Sequence, residues 1–260
     1  MAEAIIGGLP PVNWDNTVAS DYNAARRRVL KNRFGIRVAP DNAECVEGAD
    51  AIILAVKPQN VESALATING FVPPGCVLIS IVAGLTMDAL QEGSGCTSVV
   101  RTMPNTPAMI GQGVTVWTQT ADVSEEQGTV VRRILRAMGD EVFVHDEKFL
   151  DMATAISGSG PAYHYMTMES MIDAAVHMGF SRDIARMLVL KTMRGSVEYV
   201  LQTGQHPATL RDDITSPGGT TAAALYEMEK GGFRTVLADS IWAAYRRSLE
   251  MGGQDDPRER

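Results

Sequence analysis

Two stretches rich in Gly, Ser and Thr hold the groups best suited to chemistry in this chain. One is Ser157-Gly158-Ser159-Gly160-Pro161-Ala162-Tyr163; the other is Thr215-Ser216-Pro217-Gly218-Gly219-Thr220-Thr221, followed at once by a helical run from Ala222 to Glu229. Glycine lets backbone N–H groups close on a ligand, and a proline presets φ at the mouth of a helix. A turn opening into a helix start presents unpaired N–H donors at a positive dipole end, which suits a small carboxylate. Either stretch alone reads equally well as an inter-helix turn. Two of them, each ending in a helix start, point to a shared anion pocket.

A second group of residues follows the ends of apolar runs: Ala55-Val56-Lys57-Pro58, Val82-Ala83-Gly84 and Met103-Pro104-Asn105-Thr106-Pro107. Parallel sheets bind ligands outside the carboxyl ends of their strands. Small residues and backbone groups there can pass close to a nicotinamide and its ribose. Lys57 reads either as a contact to a ribose hydroxyl or phosphate, or as a solvated lysine at a strand end. Asn42, after the strand-like Ile36-Arg37-Val38, reads as an adenine contact or as a helix N-cap. Ser20 and Asp21 close another strand-like run. An acid at that place accepts from a ribose 2′-OH and favours NADH. Ser20, Asn23 and the fork of Arg26 or Arg27 suit a 2′-phosphate and favour NADPH.

The elements that must position these groups alternate in the first half. Strand-like runs are Asn16 to Ser20, Asp50 to Val56, Cys76 to Val82, Thr97 to Arg101, Gly113 to Gln119 and Glu141 to His145. Helical patterns lie between several of them, at Tyr22 to Phe34, Asn60 to Ile68 and Ser124 to Met138. The runs Ala51 to Val56 and Val77 to Val82 are almost wholly apolar, as strands covered on both faces must be. The pattern predicts an α/β fold with a largely parallel, doubly wound sheet over residues 1–148. From about Phe149 the alternation stops, and residues 149–252 read as an all-helical domain with helices at Ala162 to Met178, Arg182 to Gln202, Thr221 to Lys230 and Phe233 to Glu250. Residues 253–260 read as a solvated tail.

Composition narrows the function. Of 260 residues 45% are hydrophobic and 21% charged, an ordinary globular balance. The net charge of -8 argues against nucleic acid or an anionic membrane as partner. The basic cluster Arg26-Arg27-Arg28 with Lys31 and Arg33 reads by default as a solvated helix face. No apolar run approaches the ~18 residues of a membrane span, and Met1-Ala2-Glu3 is not the basic start of a signal peptide. Cys45, Cys76 and Cys96 are scattered, as are the four histidines, so neither a disulfide framework nor a metal site is expected. This fits a reducing, cytoplasmic setting.

Taken together these residues resemble the pyrroline-5-carboxylate reductase family. The resemblance runs from Met1 to about Leu249. Its most specific part is His206-Pro207 to Leu210, Asp213, Thr215 to Thr221, Ala224-Leu225 and Met228-Glu229. Ala55 to Pro58, Met103 to Pro107 and Ser157 to Tyr163 match further family stretches in order. The resemblance implies a Rossmann-type domain followed by a helical domain that dimerises, with a homodimer or a multiple of dimers. It implies NADPH as cofactor, with NADH also used, and reduction of 1-pyrroline-5-carboxylate to L-proline. Asn42, Ala55, Lys57, Pro58 and Ala83 would line the cofactor, with Ser20, Asp21, Val56 and Asn105 beside them. Ser216, Gly218, Gly219 and Thr220 would hold the substrate carboxylate, and Thr221 would hydrogen-bond the ring nitrogen as the catalytic side chain. His164 is expected to be a core or helix-face histidine rather than an acid.

The chain departs from the family at its start. A dinucleotide-binding domain opens with a strand and G-x-G-x-x-G, whereas Met1 to Leu9 resembles the helix that follows those glycines, with Gly7-Gly8 inside it. Loss of that central strand is expected to leave neighbouring strands with unpaired ladder groups. The sequence therefore reads as truncated, with any organelle-targeting segment out of view. The alternative is a catalytically silent dimerising homologue. A third reading, a β-hydroxyacid dehydrogenase, needs a catalytic lysine, and Lys191 has no matching motif.

Overall fold

The computed structural model describes residues 1–255. They form two compact units, one of Met1–Pro161 together with the segment from Ala243 onward, the other of Ala162–Trp242. The tail expected over 253–260 lies, from residue 256, outside the described residues.

In the first unit the strands fall into two sheets. Strand β1 (Val18–Ser20) pairs in parallel with β2 (Arg37–Ala39) across helix α2 (Ala24–Phe34). The larger sheet has the order β3 (Ala51–Leu54), β4 (Val77–Ser80), β5 (Val99–Met103), β6 (Gly113–Gln119) and β7 (Gly139–Phe143). Helix α3 (Asn42–Val46) leads from β2 to β3, and α4 (Val61–Ile68), α5 (Met87–Ser94) and α6 (Glu125–Arg136) connect strands of the larger sheet. Strands β3, β4 and β5 are parallel; β6 runs antiparallel to β5, and β7 parallel to β6. The reversal at β6 follows from its connection, a 3-10 turn at Thr106–Ile110 in place of a crossover helix. Val77, Leu78, Val99 and Val100 are fully buried, the outcome their unbroken apolar runs require.

Several expected strands are shorter than their apolar runs. Asn16 ends the 3-10 turn Pro11–Asn16 and leaves the ladder to Val18–Ser20. Residues 55–56 and 81–82 lie past the last paired residues of β3 and β4 and start the loops. Among the described residues β1 pairs only with β2, and β3 only with β4, and no strand joins the two sheets.

Helix α1 (Ala2–Gly8) bridges the two sheets. Ala4 and Ile5 pack with Val77, Ile79, Val100 and Trp117, while Ile6 joins Leu30, Phe34 and Ile36. Gly7 and Gly8 serve this packing: a Cβ on Gly8 would lie 1.9 Å from the Ala137 carbonyl oxygen, and one on Gly7 would lie 3.3 Å from the Phe34 ring. The basic cluster of α2 is not simply a solvated face, since the Glu3 carboxylate pairs with both Arg26 and Arg33.

Helix α7 (Lys148–Ala153) runs into a π-helical turn, Thr154–Gly158, and then into α8 (Gly160–His177). In the second unit follow α9 (Arg182–Thr203), α10 (Pro207–Asp213) and α11 (Thr220–Lys230), and α12 (Phe233–Met251) leads back to the first unit. Helix α9 starts at a Ser181 N-cap and stops at Gly204, whose φ of 64° suits the left-handed cap. Helix α10, unforeseen from the pattern, opens with Pro207 behind a His206 cap whose Nδ1 accepts from the Ala208 N–H. Met166, Met178, Met187, Tyr199, Leu201 and Val236 are exposed, and only Ala185 and Val189 of α9 are buried.

Candidate functional site

The parallel strands β1 to β5 bring most of the expected cofactor residues to their carboxyl ends. Ser20 ends β1, and its hydroxyl pairs with the Asn42 side-chain oxygen. Asn42 in turn donates its amide to Thr67 Oγ1 at 2.8 Å, joining β1 to α4. Asn42 is not the N-cap of α3; that role falls to Asp41, whose carboxylate accepts from the Glu44 N–H at 2.9 Å. Asp21 Oδ1 accepts from the Asn23 N–H at 2.8 Å, and its carbonyl accepts from Arg27 Nη1. Thus Arg27, rather than the Glu3-bound Arg26, is the guanidinium at this rim.

After β3, Ala55 is half-buried while Lys57 and Pro58 are exposed. Lys57 precedes the 3-10 turn Pro58–Asn60 and its carbonyl accepts from the Asn60 N–H. Val56, half-buried, packs against the core cluster that includes Leu54 and Val61. Ala83 is half-buried in the loop after β4, where Ser80 Oγ accepts from the Val82 N–H. Asn105 follows β5, and its side-chain oxygen accepts from the Val114 N–H at 3.0 Å. This bond pins the turn between β5 and β6.

The stretch 157–163 differs from the expected open turn. A π-helical turn runs to Gly158 and α8 starts at Gly160, with the Ser159 N–H donating to the Thr154 carbonyl at 2.8 Å, so that amide is not free for an anion. Gly158 permits this: a Cβ there would stand 2.5 Å from Met103 Cε. π-helical turns recur at functional sites. His164 lies exposed on α8, and Lys191 is exposed on α9.

The stretch 215–221 forms the expected loop and helix start. Thr215 Oγ1 donates to the Arg211 carbonyl at 2.6 Å, closing α10 against the loop. The Gly219 N–H donates to the Ser216 carbonyl at 3.0 Å, and Gly218 takes a φ of 71° that favours glycine. Gly219 is the N-cap of α11 and supplies no side-chain cap, so Thr220, Thr221 and Ala222 head the helix with N–H groups at its positive end. Thr221 is half-buried, and Ser216 and Thr220 are exposed. A backbone cradle flanked by hydroxyls of this kind can hold a carboxylate.

One buried ionic cluster was not foreseen. Arg101 of β5, 2% exposed, donates to Glu147 Oε1 and to Asp151 Oδ1, each at 2.9 Å. Ser248 of α12 donates to the same Asp151 oxygen at 2.8 Å. An arginine inside the apolar run Val99-Val100-Arg101 is itself the signal that could have marked it, since such a charge is almost never buried without partners.

Burial pushes the Cys76 thiol up to about 12 and also raises Cys45 and Cys96. All three are free. Among the described residues no group of three or more His, Cys, Asp and Glu could hold a metal, and no helix is long and apolar enough to cross a membrane.

Residues 147–251 match a family described as pyrroline-5-carboxylate reductase dimerisation, and residues 1–84 one described as NADP oxidoreductase, coenzyme F420-dependent. The chain is 38% identical over 257 residues to a pyrroline-5-carboxylate reductase of Glycine max, covering 96% of this chain and 92% of the relative. It is 38% identical over 255 residues to the enzyme of that name from Synechocystis, covering 97% and 95%. A solved structure of Plasmodium falciparum pyrroline carboxylate reductase with NADP bound superposes with a TM-score of 0.86 at 35% identity, covering 96% and 94%. A reductive aminase from Aspergillus terreus shares the fold alone, at 0.60 and 17%.

Proposed function

Because the chain belongs to the pyrroline-5-carboxylate reductase family, we propose that it reduces 1-pyrroline-5-carboxylate to L-proline with NADPH, NADH serving as a second cofactor. The observation that carries this reading is the near-complete match to relatives of that name, 96% of the chain at 38% identity.

The residues fit the cofactor along the strand ends. Ser20, Asn42 and the Asp21–Arg27 pair offer polar groups to the adenosine side, and Arg27 supplies a fork suited to a 2′-phosphate. Ala55 and Ala83, half-buried and small, allow close approach on the nicotinamide side, with Lys57, Pro58, the Val56 backbone and Asn105 beside them. The reduced nicotinamide, when bound, supplies a hydride to the C=N carbon. The Gly218–Gly219 backbone with Ser216 and Thr220 holds the substrate carboxylate at the start of α11. The Thr221 hydroxyl hydrogen-bonds the ring nitrogen. A cyclic imine is basic enough to arrive protonated, so the chain's task is mainly positioning. Residues 1–148 serve the cofactor and 149–252 the substrate and self-association.

The apolar side chains left exposed on α8, α9 and α12 fit a homodimer or a multiple of dimers. The protein works as a cytoplasmic enzyme on a small molecule, without nucleic acid or membrane.

The test is oxidation of NADPH and of NADH with pyrroline-5-carboxylate, followed by absorbance, with sedimentation on the same sample. Substrate-dependent turnover by a dimer or larger species is expected, with NADPH preferred. A folded protein that dimerises but neither binds nor oxidises either cofactor would instead be the silent homologue. A preference for NADH above about tenfold would mean that Asp21 governs the pocket.

A further inference from the structure

The β4–α5 loop, residues 81–86, carries Ala83 on the cofactor side of the sheet, yet its backbone is held from behind by groups distant in sequence. The Met87 N–H, the first of α5, donates to Glu147 Oε1 at 2.8 Å. That same oxygen accepts from Arg101 Nη1 at 2.9 Å. Arg101 is fixed in turn by Asp151, and Asp151 by Ser248 near the end of α12. The end of α12 also closes on the loop directly. A Cβ on Gly84 would lie 2.8 Å from Met251 Cβ, and one on Gly252 would lie 2.7 Å from the Gly84 carbonyl oxygen.

From this arrangement we infer that Glu147 is a positioning residue for the cofactor: its single oxygen, polarised by buried Arg101, anchors the start of α5 and so fixes the loop that presents Ala83 to the nicotinamide side. The inference rests on the reading of Ala83 as a cofactor wall. The physical reason is the sharing of one acceptor. An N–H at a helix start has no partner within its own helix, and a carboxylate there is both acceptor and favourable counter-charge. With Arg101 holding the carboxylate in one rotamer, the anchor loses little freedom on ligand binding, and the loop is set before the cofactor arrives. The contacts of Glu147 are to the Met87 N–H and to Arg101, so its role runs through the loop.

The test compares Glu147→Ala, Glu147→Gln and Glu147→Asp in the full chain. It uses fluorescence titration with NADPH, steady-state kinetics and hydrogen exchange of the amides from Val82 to Ala89. Glu147→Ala is expected to raise the Kd for NADPH by about tenfold, to leave kcat at saturating cofactor within about threefold, and to speed exchange from 82 to 89. Glu147→Gln keeps an acceptor for Met87 and should stay within about threefold of the parent in Kd. Glu147→Asp keeps the charge beside Arg101 but draws the oxygen back by about 1.5 Å, so it should speed exchange even if Glu147→Ala fails to fold. The inference is overturned if Glu147→Ala or Glu147→Asp leaves exchange at 82–89 unchanged, or if NADPH affinity stays within about twofold while stability falls. Failure of the parent chain to bind NADPH would count against the proposed function instead, and the exchange comparison would still decide the role of Glu147.

Discussion

Replacing Gly219 by alanine separates the proposed substrate loop from the fold that carries it. Gly219 has φ -76° and ψ 170°, a backbone any residue adopts, so the substitution meets no backbone strain. It meets Ser216 instead. The new Cβ would stand 2.5 Å from Ser216 Oγ and 3.1 Å from the Ser216 carbonyl oxygen. The hydroxyl is a free end and rotates away; the carbonyl, bonded to the Gly219 N–H at 3.0 Å, need give only a few tenths of an ångström. The fold loses about 1 kcal/mol, the cost of alanine at an N-cap. The site loses more. If Ser216 Oγ donates to the substrate carboxylate, its displacement removes a hydrogen bond to a charged group, worth roughly 1.5–3 kcal/mol. That lowers kcat/KM by about ten- to 150-fold. The assay is kcat/KM for pyrroline-5-carboxylate at saturating NADPH, with thermal unfolding of the same preparation. Adding Ser216→Ala to Gly219→Ala should cost little beyond Ser216→Ala alone, because both remove one contact. A Gly219→Ala enzyme within about threefold of the parent refutes the reasoning, because a displaced Ser216 would then not matter to the substrate.

Other outcomes follow from the same geometry. Thr221→Ala should lower kcat/KM by about tenfold to a thousandfold while leaving the unfolding midpoint in place, and Thr221→Ser should restore most of it; unchanged kinetics remove Thr221 from the reacting centre. Asp151→Ala leaves Arg101 buried with only Glu147 as counter-charge. It should cost about 3 kcal/mol, the low end for a broken buried pair, read as a lower urea midpoint at constant slope; a loss below about 1 kcal/mol contradicts the account of the cluster. For pH, the Cys76 thiol stands at about 12 in the folded chain against 9.0 for the free group. The unfolded chain therefore gives up this proton first, and stability present below pH 9 declines as pH rises toward 12. Cys76→Ala should flatten that alkaline decline, and an equal slope in both proteins would sink the assignment.

What the sequence disclosed, and what it withheld, divides along the range of the interactions. The apolar runs at β3 and β4, the span of α9, and the loop into α11 depend on neighbours a few residues apart, and each is placed by local pattern. The strand-end positions were legible for the same reason: once strands alternate with helices, the residues after each strand share one edge. Adjacent competitors blur the pattern. Asp41 and Asn42 are both able caps, and the choice fell to Asp41 because its backbone is extended, at φ -136° and ψ 171°. The π-helical turn at 154–158 was hidden by its composition. A run of Ser and Gly signals a loop, yet here the glycine makes room for Met103 from another strand, and the helix continues through it.

The ionic cluster lies at the far end of this range. Its members are 46, 50 and 97 residues apart along the chain. No spacing rule connects them, and Arg101 alone, charged within an apolar strand, announces that partners must exist without naming them. The distances also explain why such a device falls to this part of the chain. A loop proposed to meet a cofactor can spend few of its own side chains on holding itself, and here Ala83 and Gly84 are small while the constraint arrives from behind, through Glu147 and the last turn of α12. The residues proposed to contact the cofactor are therefore readable from the sequence, and the proposed positioning residue only from the fold.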